Sequence, residues 1–157
     1  MLKQHCNARI AFCILCILLT SPAAAQTLTQ DRALTFGNIS LTTNNAMREI
    51  ELHPDGSYTA DPGIYFYSDT PELGRYIIQG QVPLTVMNIN IDVSSTLLGL
   101  GNPIFTLHNP FTVPAVVTTD GLGNATFEIG ATLRSNGSGI NYSDANYNSV
   151  FTVSVSP

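Results

Sequence analysis

The 157-residue chain has no tryptophan and one lysine, and its three cysteines, Cys6, Cys13 and Cys16, all fall within the first 16 residues. Each scarcity removes a class of explanation. Without cysteine beyond residue 16, the rest of the chain has no disulfide, thiolate nucleophile or sulfur ligand, so its fold must stand on its core alone. Four arginines, Arg32, Arg48, Arg75 and Arg134, oppose eleven carboxylates after residue 25, a net charge of −7 before histidine. Phosphate backbones and anionic membrane surfaces are bound by clustered Lys and Arg, so nucleic acid and such membranes are excluded as expected partners. The lack of tryptophan takes away the usual platform for stacking a sugar ring.

Long apolar runs are also lacking. The longest, Ile10 to Leu19, is about half the roughly 20 residues that span a bilayer. Lys3 and Arg9 precede it, and the small-residue segment Ser21-Pro22-Ala23-Ala24-Ala25 follows, which is the layout of a secretory signal peptide. Residues 1–25 are therefore expected to be a cleaved leader with a helical core, and Gln26 the new N-terminus. Cys16 sits inside the apolar run, behind Cys13-Ile14-Leu15 rather than a small residue, so lipid anchoring is not expected. Residues 26–157 are the right length for one domain, which at this size folds without metal or disulfide.

Helical periodicity is absent beyond the leader. Short alternating or continuous apolar runs recur instead, broken by Gly, Pro, Asn and Asp, the pattern of many short strands. Leu34, Phe36, Ile39 and Leu41 read as a first strand interrupted at Gly37. Ile50 and Leu52 alternate with Glu49 and Glu51, and the turn His53-Pro54-Asp55-Gly56-Ser57 follows. Ile64 to Tyr67, Arg75 to Gln79 and Leu84 to Val93 form a second group. In the last, Ile89, Ile91 and Val93 oppose Asn88, Asn90 and Asp92, and a change of parity at Met87 points to a bulge. Ile104 to Val113 follows, confined by Pro103, Pro110 and Pro114 to edges or strand ends. Beyond the turn Asp120-Gly121-Leu122-Gly123-Asn124, a strand from Thr126 to Leu133 directs Phe127, Ile129, Ala131 and Leu133 to one side. A loop from Ser135 to Ser143 leads to a final strand, Ser149 to Ser156, in which Phe151, Val153 and Val155 alternate with Thr152, Ser154 and Ser156. Eight or nine such strands without a repeat predict one all-β domain over residues 26–157, an immunoglobulin-like antiparallel β-sandwich.

No constellation of reactive side chains emerges. Beyond the leader only His53 and His108 could serve as imidazole bases, both read as exposed turn residues beside Pro54 and Asn109-Pro110, and no G-x-S-x-G elbow occurs. Oxygen-rich turns at Asp55 and Asp61, Asp69 and Glu72, and Asp120 and Asn124 do not follow calcium-loop spacing and are explained by turn formation. Glu49 and Glu51 share a strand face, read as a solvated sheet surface rather than a glycosidic pair. Tyr65, Phe66 and Tyr67 offer aromatic rings that could line a sugar-binding surface, but with no tryptophan beside them they are assigned to core packing and cross-strand pairing. The sequons at Asn38, Asn124, Asn136 and Asn141 arise readily in so Asn-, Ser- and Thr-rich a chain. No catalytic, cofactor-binding or metal residue is expected.

Five segments carry a resemblance to a known family: Ala33-Leu34-Thr35-Phe36-Gly37-Asn38-Ile39, His53-Pro54-Asp55-Gly56-Ser57-Tyr58, Tyr76-Ile77-Ile78-Gln79-Gly80, Ile129-Gly130-Ala131-Thr132-Leu133, and Tyr147 to Val155. In this order they resemble the bacterial secreted domain known as domain of unknown function 4402. That family in turn resembles the spore-coat-U-like subunits of archaic chaperone-usher pili, through the Leu-x-Phe-Gly opening and a terminal alternating strand. The resemblance implies a sandwich lacking one strand, with a groove filled by a strand from a chaperone or a neighbouring subunit. It places Phe151, Val153 and Val155 along that groove. Only Gln26 to Arg32 precedes the first expected strand, and Leu28 is the sole apolar residue among them, so the chain is expected to accept a strand rather than donate one. The resulting expectation is an exported, non-enzymatic structural or surface-associated protein of fimbrial or adhesion type. The alternative is a periplasmic or secreted carbohydrate- or peptide-binding module.

Overall fold

A computed structural model describes residues 26–93, 97–98, 104–142, 147 and 151–157. The expected leader, residues 1–25, lies outside the described residues. Among the described residues there is no helix, and hence none long and apolar enough to cross a membrane.

The strand β11 (Ala125–Arg134) organises one layer, and its sequence shows why. Phe127, Ile129, Ala131 and Leu133 recur at period two and are all buried on one side. On one flank β11 pairs with β9 (Ile104–Val113). On the other it is shared end to end by β6 (Gly74–Gln79), opposite Ala125 to Ile129, and β3 (Glu49–Leu52), opposite Thr132 to Arg134. Three short strands lie outside these: β1 (Thr27–Arg32) on β6, β4 (Tyr58–Ala60) on β3, and β8 (Leu97–Leu98) on β9. All the pairings are antiparallel.

The facing layer has two pieces. In one, β7 (Val86–Asp92) runs between β10 (Val117–Thr118) and β12 (Thr152–Ser156). The other is a ribbon of β2 (Ile39–Leu41) and β5 (Ile64–Phe66). Each piece covers one buried cluster. Met87 and Val117, with Ile89, Ile91, Val153 and Val155, pack on Tyr76, Ile78, Phe127 and Ile129. Ile39, Leu41, Ile64 and Phe66 pack on Ile50, Phe105, Leu107, Ala131 and Leu133. Phe151 touches both clusters and joins them. Fully buried side chains such as Ile78 and Phe127 each contribute about 2–3 kcal/mol of transfer free energy. The result is a β-sandwich-like all-β fold.

Several local expectations change. The chain begins its sheet earlier than the apolar pattern indicates, because Thr27–Arg32 is itself a strand, whereas Leu34 to Phe36 contributes only the isolated bridge Thr35–Glu72. The interruption at Gly37 is real: its φ is +73°, and a Cβ there would lie 2.2 Å from the Asp69 carbonyl oxygen. No bulge occurs at Met87, since neither ladder of β7 shifts register. Met87, Ile89 and Ile91 keep one inward parity, and Leu84 and Val86 are simply apolar residues facing water. His108 is not in a turn but within β9, opposite Thr132, with its Nε2 2.9 Å from the Thr106 hydroxyl. Tyr65 and Tyr67 lie outside the core, exposed on the outer side of β5, while Phe66 between them turns inward against the Tyr58 ring.

Candidate functional site: the margin between β1 and β12

Phe151, Val153 and Val155, the residues expected to border a groove, all pack against the same buried cluster, the two valines from within β12 and Phe151 from just before it. In β12 the register sets Val153 opposite Ile91 and Val155 opposite Ile89. Facing residues of an antiparallel pair share a side, so these valines point into the sandwich, and both pack on the core cluster there. Yet they are only half-buried, while Thr152, Ser154 and Ser156 face water. Among the described residues no strand lies beyond β12, so β12 is the margin of its layer.

The opposite layer ends nearby in β1. Leu28 stands opposite Ile78, whose side chain is fully buried, and so shares its inward side. It nevertheless stays 37% exposed. One bond crosses between the margins: Gln26 Nε2 donates to the Val155 carbonyl oxygen at 3.4 Å. A strand residue directs its N–H and C=O to the same edge, so Val155, reached from outside, turns its backbone groups away from β7. By the two-residue period Val153 does the same.

Sequence chemistry makes the two margins unlike. The β1 edge carries Gln30, Asp31 and Arg32 and a register shift between Gln30 and Arg32. It is tied down on its outer side by Arg32 to Glu128 at 3.1 Å, Arg32 to Glu72 at 3.9 Å and Asp31 to Arg75 at 3.7 Å. Arg32 Nε also donates to the Leu73 carbonyl oxygen at 2.9 Å. Charges and irregular pairing are the means by which sheet edges resist further pairing. By contrast, β12 reads Thr-Val-Ser-Val-Ser, with neither charge, proline nor bulge. Behind it runs an apolar seam lined by Leu34, Ile91, Leu107, Ala131 and Phe151, none of it wide enough to admit a water molecule.

The reactive side chains considered from sequence are dispersed. His53 closes a turn, with its N–H donating to the Ser57 carbonyl at 2.9 Å, and His108 belongs to a different strand. Glu49 and Arg134 form an ion pair at 2.5 Å. The Asp55 carboxylate accepts from the Ser57 hydroxyl and N–H at 2.6 and 2.9 Å, and that hydroxyl is the main reason its pKa is lowered. Asp120 accepts from the N–H groups of Leu122 and Asn124 at 2.8 and 2.9 Å. The Asn124 bond is the leading cause of its lowered pKa. Among the described residues no three His, Cys, Asp or Glu side chains converge as metal ligands would.

Two features gave no usable sign in the sequence. Strand β1 has a single apolar residue, so its pairing rests on backbone bonds and ion pairs rather than on pattern. Asn44, only 2% exposed, donates from Nδ2 to Asn136 Oδ1 at 2.8 Å and to the Ile140 carbonyl at 2.8 Å, and accepts from Gly137 N–H at 3.1 Å. It thereby pins the 135–142 loop, and one Asn among many polar neighbours does not announce that.

Over residues 27–156 the chain matches the model of a family described as Domain of unknown function (DUF4402). No curated protein and no solved structure matches the chain.

Proposed function

The chain belongs to the DUF4402 domain family, and from that premise, joined to the geometry of its sheet margins, we propose that it is an exported, non-enzymatic structural or surface-associated subunit of fimbrial or adhesion type. Its sandwich is immunoglobulin-like and one strand short, and it accepts a β-strand from a neighbouring subunit or a chaperone along β12. The observation that carries this reading is the contrast between the margins: β1 is blunted by charge and a bulge, whereas β12 is regular and uncharged, with inward valines half-covered. An edge of that kind is a template for further pairing unless something covers it. Strand addition there would bond the outward backbone groups of Val153 and Val155, and alternate side chains would cover Leu28 and the two valines. The net charge of −7 after residue 25 favours a neutral or basic strand.

The test is thermal melting of the purified protein with a synthetic peptide of alternating apolar residues. A ligand that binds only the folded state raises the melting temperature with its concentration, so a concentration-dependent rise is expected, abolished by Val153→Asp. An unchanged melt across a saturating range of peptides would turn the reading against strand acceptance.

A further inference from the structure

Tyr65 lies within β5 and Tyr67 one residue past its end, where its N–H bond to the Asn38 carbonyl continues the ladder, so both rings lie on the outer face of the β2–β5 ribbon, 57% and 77% exposed. Their spacing along extended backbone is about 6.6–7 Å. Among the described residues neither phenolic hydroxyl has a hydrogen-bond partner. The neighbouring strand completes a surface around them. Ser40 stands opposite Tyr65, and the Asn38 carbonyl accepts from the Tyr67 N–H at 3.0 Å. The Asn38 amide is oriented by donating to Ser68 Oγ at 2.9 Å and Asp69 Oδ2 at 2.7 Å. Gly37 makes this possible, because only a missing side chain lets the Asn38 segment approach the Asp69 carbonyl so closely.

We propose that this outer face is a contact surface for a neutral polysaccharide. Two exposed rings in a row offer apolar faces on which the C–H sides of successive sugar rings can lie, and their hydroxyls offer polar rims. The side chains beside them, an amide, two serine hydroxyls and one carboxylate, are the groups that pair with sugar hydroxyls. Charge decides among polymers. The carboxylate of Asp69 and the acidic balance of the chain repel a polyanion. The surface presents both rings to solvent, which suits an extended chain lying across them rather than an enclosed small molecule. It lies apart from the β12 margin, so either site can exist without the other.

The test is affinity electrophoresis of the full chain, expressed with its own leader and purified, through native gels containing dextran, mannan, xylan or hydroxyethylcellulose, with alginate as the anionic comparison. With no tryptophan in the chain, tyrosine emission reports binding in solution. Retardation in at least one neutral gel is expected, weakened about tenfold or more in the Tyr65→Ala, Tyr67→Ala double variant. The corresponding double Phe variant keeps the rings and should stay within about threefold of the parent. Because the rings are exposed, both variants should melt with the parent protein. Migration unaffected in every neutral gel would overturn the proposal, as would retardation in alginate alone or retardation that survives the alanine substitutions. An equal loss in the alanine and phenylalanine variants would place the contact on the hydroxyls and overturn stacking.

Discussion

At Gly123 the backbone takes a φ of +78°, and a Cβ added there would fall 2.0 Å from the Gln81 carbonyl oxygen. The same two residues are bonded, Gln81 N–H to the Gly123 carbonyl at 3.1 Å, so neither backbone can retreat without losing the link that closes one pole of the sandwich. Gly123→Ala is therefore expected to cost roughly 2 kcal/mol or more, lowering the melting temperature by about 8 °C. A melt within a degree of the parent would show that the turn relaxes freely. Three residues earlier, Asp120 adds a pH dependence. Its folded pKa is depressed below the ordinary 3.8 by backbone N–H donors, first that of Asn124, so its contribution is fully present above that value. The contribution is lost as the pH falls through 3.8 and then through the lower folded value. Comparing acid unfolding of the parent and Asp120→Ala checks this: the parent should lose more stability below about pH 4, and parallel curves would remove Asp120 from the account.

Strands that bury one clear face were legible as elements, and strands held by backbone alone were not. Phe127, Ile129, Ala131 and Leu133 identify β11, and Phe151, Val153 and Val155 identify β12, because alternation at period two has one physical meaning when every second residue is apolar. At Val86-Met87 two adjacent apolar residues left the parity open, and only the fold shows that Met87 is the inward one. Tyr65-Phe66-Tyr67 is the same ambiguity in aromatic form. The segment Thr27–Arg32 has too little apolar surface to reveal its face, which is why a strand was invisible there. Its stability should reflect that origin. All six residues of β1 are exposed, one edge has no partner strand among the described residues, and its ion pairs are surface pairs worth at most about 1 kcal/mol each. Native-state hydrogen exchange should thus find β1 amides opening far more readily than those of β11, which is paired on both flanks. Equal protection in the two strands would mean that β1 is held by something other than its edge bonds.

For the molecule as a whole, the first and last of the described residues lie together at one pole. Thr27 pairs with Gln79 and Ser156 with Asn88, and Gln26 reaches the Val155 carbonyl. A polypeptide continuing past Pro157 thus leaves from the end of β12 and needs only a tight turn to run back along its open edge. An extension made of Asn-Gly followed by alternating valine and threonine has the turn chemistry and the strand pattern for that return. If the sandwich is one strand short, this extension supplies it within the same chain, at an effective concentration that a separate peptide reaches only in the millimolar range. The extended protein should melt higher, by roughly 4 °C for each kcal/mol gained, and should no longer respond to the free alternating peptide. It should also remain monomeric under conditions where the parent associates. Each readout addresses a different way of being wrong. A higher melt with the peptide response intact would mean that the extension binds elsewhere, and an unchanged melt would mean that β12 has no room beside it. Only the joint result identifies the β12 margin as the place where this fold takes a further strand.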